Sequence, residues 1–419
     1  MSKKGRRLLL AGVLTTIVVA SLAIVLTGLS SVTARKPALK TAWGEPDLQG
    51  MWTREVDIPL ERPAKYANQE FFSDTERRNL DQQISDIIKR DSTEERRARG
   101  TERDVNSEFT QEPFTIHLPV GRRTSLIVDP PDGRIPRLTP EAQKKRDAFR
   151  QFQLALLQAT AACKDHHRGC AGGKYGPVSP RRKETPPSYI GASTNAGINR
   201  ADGPEDRTLT ERCLNGTLPD FGNFVGGLSR IVQAPGVISI VYDLGPGLGR
   251  PRTIPITTAP HLPATIQQYW GDSRGHWEGE TLVVDVTNFS PKSDFQGAHE
   301  NLHLVERWTR VDAETIGYVV TIDDSTTWVR SWTVRQELKK QSDPANRIYY
   351  EPRCHEGNYG LIALLSGARE SERAFAEGRG PDPATMCVVI GGCGGFVRGG
   401  FADDGPDADP FQSPPPRAP

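Results

Sequence analysis

The stretch 271–289, GDSRGHWEGETLVVDVTNF, constrains the fold more than any other part of the chain. A polar arm ends at Trp277, a tight turn falls at Glu278-Gly279, and Leu282, Val284 and Val286 then alternate with polar residues. Alternation at period two puts those three side chains on one face of a strand, and glycine tolerates the positive φ that a short hairpin turn requires. Such a hairpin can bury only one face, so it needs a larger sheet around it.

The rest of the second half supplies that sheet. Candidate strands cover 237–242, 252–256, 302–311, 315–322, 328–335 and 346–351, with earlier ones at 114–118 and 124–128. Leu302, Leu304, Glu306 and Trp308 share one face, and Ile316, Tyr318, Val320 and Ile322 form the matching face across a turn at 312–314. On the next strand Trp328, Arg330, Trp332 and Val334 share a side. Glu306 and Arg330 therefore fall among apolar neighbours, where a charge must be paired or must bind something.

Hairpins in series, rich in aromatics, predict a mainly β, antiparallel barrel, with a β-sandwich as the rival. Closing the sheet removes exposed edges, and a barrel of this size can enclose one small ligand. The content of 33 prolines and 40 glycines fits the many turns this demands. Near the start of the body, Gly50-x-Trp52 resembles the Gly-x-Trp of lipocalin-type barrels, in which the tryptophan closes the barrel floor.

Two helical insertions interrupt the strands. The first, about 73–97, opens on a Ser-x-x-Glu capping box at Ser73 and Glu76, and Leu80, Ile84, Ile87 and Ile88 give it one narrow apolar face. The second, about 140–162, begins at Thr139-Pro140-Glu141, with proline at the first helical position. A polar stretch without periodicity, 169–206, reads as a surface excursion over the sheet. A C-terminal helix covers about 361–376, and the Gly/Pro-rich tail 379–419 reads as disordered.

The N-terminus speaks to compartment. Lys3, Lys4, Arg6 and Arg7 precede an apolar run from Leu8 to Leu29, and Val32-Thr33-Ala34 offers small residues for cleavage. About 20 apolar residues also suffice to span a bilayer. Residues 1–34 are thus a signal peptide or a membrane anchor; either exports the body to the periplasm or beyond. A linker, 35–45, leads to the body, 46–378. The net charge of +1 offers no basic field for nucleic acid, so the membrane is met only through the N-terminal segment.

Six cysteines in an exported chain predict disulfides. Proximity favours Cys163–Cys170 and Cys387–Cys393, which leaves Cys213–Cys354 as a long-range staple. Cys163, His166, His167 and Cys170 could alternatively hold zinc, but exported thiols oxidise, and disulfides are preferred.

GDSRGHWEGETLVVDVTNF, NLHLVERWTRVD, DDSTTWVRSWTV and CHEGNYG-x-x-x-x-LSGARE occur in order, and together they resemble a family of exported bacterial proteins. The resemblance spans roughly residues 47–372. It implies a calycin-like barrel and an export signal, and it implies no reaction.

Candidate chemistry falls into three groups. Asp272, Arg274 and Glu278 lie on one hairpin arm, which also carries Trp277; His303, Glu306 and Arg307 lie on the following strand; His355, Glu356 and Asn358 lie where the last strand leaves the sheet. Histidine–carboxylate–arginine mixtures suit acid/base work, and they also occur as plain ion networks. A metal held by His303, His355 and a carboxylate lacks the usual spacing, so no metal is assigned. The absence of Gly-x-Ser-x-Gly, a P-loop and a dinucleotide fingerprint disfavours serine hydrolases, kinases and nicotinamide enzymes, and no cofactor is expected.

Two functions follow. One is a barrel that binds an apolar or aromatic small molecule, with Glu306 and Arg330 orienting it and Trp277 and Trp332 stacking on it. The other is a cofactor-independent lyase, isomerase or hydrolase using His303 or His355 with Glu306 or Glu356.

Overall fold

The computed structural model describes residues 39–54, 58–82, 121–187, 198–207, 212–214, 218–221, 228–242, 250–341 and 359–388. Among the described residues ten strands form one sheet: β1 (Gly50–Arg54), β2 (Ile127–Asp129), β3 (Leu228–Ala234), β4 (Val237–Tyr242), β5 (Arg250–Pro255), β6 (Asp272–Glu278), β7 (Thr281–Thr287), β8 (His303–Asp312), β9 (Thr315–Asp323) and β10 (Trp332–Lys340). The order is β5-β4-β3-β1-β10-β9-β8-β7-β6, every pair antiparallel, with β2 joining β10 beside β1.

Nine strands curl into a nearly closed barrel. An odd number of alternating strands leaves the two end strands pointing the same way. Accordingly β5 meets β6 in parallel: Ile256 bridges Gly275, and Thr257 N donates to Gly275 O at 2.9 Å. A parallel pair cannot be joined by a tight hairpin and needs a crossover of a dozen or more residues. Residues 256–271 are that crossover. A side chain at Gly275 would clash, since its Cβ would lie 2.9 Å from Ile256 Cδ1 and 3.0 Å from Ile254 Cγ2 across the seam.

Strand parity follows the expected alternation. Leu282, Val284 and Val286 on β7, Leu304, Glu306 and Trp308 on β8, and Ile316, Tyr318, Val320 and Ile322 on β9 all face the interior and are buried. The hairpin turn sits one residue later than expected, at Gly279-Glu280, with Gly279 at φ +61°. The strand expected at 328–335 begins only at Trp332. Ahead of it Asp324 folds the chain back, accepting from Thr326 N at 2.9 Å and Thr327 N at 3.2 Å. Parity therefore does not extend to Arg330, which is exposed.

The two ends of the barrel differ. One carries the short turns 235–236, 279–280 and 313–314 and is sealed by Trp52, fully buried, whose Nε1 donates to Leu48 O at 2.9 Å. Arg310 lies over the Trp52 ring, 4.7 Å from its centroid, with its guanidinium held by the carbonyls of Asp47, Asp312 and Ala313. The other end carries the long connections 288–302 and 324–331.

Helices decorate this frame. Helix α1, described over 74–82, opens with the expected capping box: Ser73 N donates to Glu76 Oε2 at 2.8 Å, and Glu76 N donates to Ser73 Oγ at 3.3 Å. Its expected extension to 97 lies outside the described residues. Helix α2 (Pro140–Leu157) has Thr139 as N-cap and ends five residues earlier than expected, followed by a short turn of helix α3 (Ala161–Lys164). Phe149, Phe152 and Leu156 of α2 pack on Ile198, a small satellite of the barrel core. Helix α4 (Tyr359–Ala376) is anchored by Arg369 to the carbonyls of Ala201 and Asp202.

Residues 379–388, expected in the tail, pack against the body: Asn199 takes Met386 O and Val388 N on its side-chain amide, and Ala384 is buried. The disulfide Cys163–Cys170 forms as expected, with Cα atoms 5.1 Å apart. Cys213 and Cys387 are disulfide-bonded as well, and Cys354 and Cys393 lie outside the described residues. So do residues 1–34, expected to be an export segment, the strands expected at 114–118 and 346–351, and His355, Glu356 and Asn358. Among the described residues no helix is long and apolar enough to cross a membrane.

Candidate functional site

Two groups of chemistry-bearing side chains emerge on opposite faces of the same strands. Both lie toward the long-loop end.

The first is inside the barrel. Glu306, fully buried on β8, accepts from Arg252 Nη2 of β5 at 2.5 Å and from the Tyr318 hydroxyl at 2.8 Å. Arg252 also donates to Ser273 Oγ at 3.0 Å and to the Tyr242 hydroxyl at 3.2 Å. Beside them Arg54 of β1, also fully buried, is ringed by Tyr242, Tyr318 and Trp308, whose centroids lie 5.2, 5.5 and 5.7 Å from its Cζ. It donates to the Asp220 carbonyl and, at 3.3 Å, to Ser229 Oγ.

This setting explains the acid–base character of the cluster. Burial pushes the Tyr318 phenol well above its ordinary value, and the nearby Glu306 carboxylate adds to it. Tyr242 is raised by burial too, against the pull of Arg252. For Arg252 burial acts downward, but attraction to Glu306 and the hydrogen bonds outweigh it, and the guanidinium is held above its usual value.

An aromatic layer lies beyond, at the long-loop end. Phe295 stacks on Trp332 at 6.0 Å, and Trp328 meets Trp332 edge-on at 5.5 Å. Phe221 meets Phe295 edge-on at 6.1 Å. Trp332 thus stands in the interior as expected, and half-buried Trp277 packs against the same core.

The expected partnership of Glu306 with Arg330 is overturned. Arg330 lies outside the barrel and donates to Asp129 Oδ2 at 2.5 Å. Glu306 takes its cation from across the barrel instead. The signal for Arg252 was present, because Arg252 and Ile254 share strand parity, as do Trp52 and Arg54.

The second group is on the outer face, at the closure seam. His261, on the crossover, sits between two carboxylates: Nδ1 is 2.9 Å from Asp272 Oδ2 and Nε2 is 2.8 Å from Asp285 Oδ1. Asp285 Oδ2 in turn meets His303 Nε2 at 2.9 Å, and Asp272 Oδ1 meets Arg274 Nη1 at 3.1 Å. His261 carries no periodic signal, since the crossover that holds it is neither strand nor helix.

The histidine–carboxylate contacts of this seam tie the crossover to β6, β7 and β8. They also separate the expected catalytic residues: His303 faces outward with Asp285, whereas Glu306 faces inward with Arg252. Asp272 and Arg274 are likewise on the outer face, away from Trp277 and Trp332. Among the described residues no group of three or more histidine, cysteine or acidic side chains is arranged to hold a metal ion.

A polar cleft of about 50 Å³ lies where loops 288–302 and 324–331 meet α2, lined in part by Lys145, His299, Asn301 and Asp324. It has room for a water or two rather than an organic ligand.

No family model, curated protein or solved structure matches the chain.

Proposed function

We propose that the protein is an exported, calycin-like barrel that binds an apolar or aromatic small molecule at its long-loop end. One observation carries this reading. The interior retains two arginines, a glutamate and two tyrosine hydroxyls, all buried among aromatic rings. Replacing a buried ion pair by well-packed apolar residues is often neutral or stabilising, so its retention suits recognition better than folding. The aromatic layer of Phe221, Phe295, Trp328 and Trp332 supplies flat apolar walls next to those polar groups.

Export is supported by the N-terminal apolar run and by the cysteines, since all four described ones are disulfide-bonded. The blocks that resemble exported bacterial proteins agree with it.

The test is a calorimetric titration of the intact protein with neutral naphthalene and steroid-like probes. At least one neutral probe should bind one-to-one, and Phe295→Leu should weaken it by about tenfold, the loss of one good aromatic contact. If no probe binds stoichiometrically, or if Phe295→Leu leaves every affinity unchanged, the reading fails.

The alternative, a cofactor-independent enzyme, rests on His261, Asp285 and His303. Their contacts lie outside the barrel and hold a crossover, which suits a structural part better than a reacting one.

A further inference from the structure

The chain enters the barrel at its sealed end. Residues 39–46 fold over that end, where Lys40 bridges Pro46 and Asp47 N donates to Leu39 O at 2.9 Å. Hydrogen bonds fasten them to the barrel: Lys40 Nζ donates to Glu280 Oε1 at 2.8 Å, and Arg310 Nη1 donates to Asp47 O at 2.8 Å. Large apolar side chains stay in solvent here: Leu39 is 46 % exposed, Trp43 39 %, and Val311, next to Arg310 on β8, 59 %. Trp43 Nε1 donates to Glu45 Oε2 at 2.7 Å, so the one polar atom of the ring is met within the turn. Apolar side chains exposed singly are ordinary, whereas a group held at one end of a fold marks a contact surface.

We propose that this end of the barrel rests on a lipid membrane, in which residues 8–29 are retained as the anchor, and that the long-loop end faces away. The inference stands apart from the ligand reading. Chain length chooses the occupant. Leu39 follows Leu29, the last residue of the apolar run, by ten positions. Ten residues reach at most about 35 Å when fully extended, so an anchor at 8–29 holds the sealed end at the bilayer. β8 runs ten residues from the long-loop end to the sealed one. With the tilt of a barrel strand, that sets the long-loop end roughly 25 Å farther out. Trp43 suits the lipid boundary, since tryptophan gathers where hydrocarbon meets water. Lys40, with Arg35 and Lys36 of the linker, brings positive charge toward anionic head groups.

The test reconstitutes the full chain in vesicles of phosphatidylcholine and phosphatidylglycerol whose acyl chains carry bromine, which quenches tryptophan on contact. Subtracting the emission of Trp43→Phe from that of the wild type isolates Trp43 among the seven tryptophans. Bromine should lower the isolated signal at least about twofold, because the ring reaches the lipid boundary. Val311→Glu places a charge on the same surface. It should abolish that quenching and leave the melting temperature unchanged, since the position is exposed. Val329→Glu, at a site 56 % exposed on the long-loop end, should leave the quenching as it is. Trp43 emission that bromine does not lower overturns the inference. So does quenching that Val311→Glu leaves intact or that Val329→Glu also abolishes. Recovery of the exported chain without residues 1–34 overturns it too, as does a dimer in lipid-free detergent solution that shields Trp43 from iodide.

Discussion

Glu306 and His303 lie three residues apart on β8 and face opposite sides of the sheet, Glu306 toward Arg252 in the interior and His303 toward Asp285 outside. An odd separation along a strand always has this consequence. It divides the candidate chemistry into an enclosed ion pair among aromatics and an exposed chain of histidines and carboxylates.

The enclosed pair makes a sharp prediction for stability. Glu306→Gln leaves Arg252 buried with no carboxylate, and unfolding free energy should fall by about 3–5 kcal/mol, the range for breaking a buried pair. The double change Arg252→Met with Glu306→Leu should recover most of that loss, because it removes both charges. Urea unfolding measures both; a Glu306→Gln protein as stable as the wild type would show that the pair does not stabilise the fold.

At the seam, Asp285→Asn weakens the contacts to both His261 and His303. These side chains are partly exposed, so global stability should drop by no more than about 1 kcal/mol. The local effect should be larger: limited proteolysis should cut the crossover faster near Ile266, which is already exposed. Unchanged cleavage kinetics would mean that the crossover is held by other contacts.

The buried phenols predict a response to alkali. Tyr242 and Tyr318 have folded-state values raised from 10.0, so the stability they contribute is whole below that pH. It is lost as pH climbs past the unfolded value toward the folded ones, because the unfolded chain releases these protons first. Ultraviolet difference absorbance should therefore show their ionisation arriving together with unfolding. All nine tyrosines titrating as one class, with the fold intact, would contradict it.

The capping box of α1 responds to acid in the opposite direction. Hydrogen bonds from Ser73, through its side chain first and its backbone second, hold the Glu76 carboxyl below its ordinary 4.5. Its contribution is present above that value and fades as pH falls through the folded one. Ser73→Ala should move the Glu76 titration upward, as followed by carbonyl nuclear magnetic resonance, and should cost the helix about 1 kcal/mol. An unmoved titration would assign the shift to the residue-73 backbone N–H, which alanine keeps, and to Gln69, which also donates to Glu76.

Local rules made much of the barrel legible. Period two placed Leu282, Val284, Val286, Trp308 and Tyr318 on the inner face, because alternation along a strand depends only on its own backbone. Thr139-Pro140 and Ser73-x-x-Glu76 marked helix starts for a similar reason, as each cap is closed by residues within one turn. Nothing local, however, says where a strand begins. Parity carried back to Arg330 failed because Asp324 turns the chain before β10 starts.

The sequence by itself determined which way side chains face within a strand and, to within one residue, where the central hairpin turns. Only the tertiary structure decided what each inward residue meets. Arg252 reaches Glu306 because an odd number of strands closes on itself, which brings β5 beside β6 and across from β8. The same closure forces a long parallel crossover, and that crossover carries His261 to Asp272 and Asp285. Pairings of this kind depend on how the whole sheet curls, a property that no single strand's pattern contains.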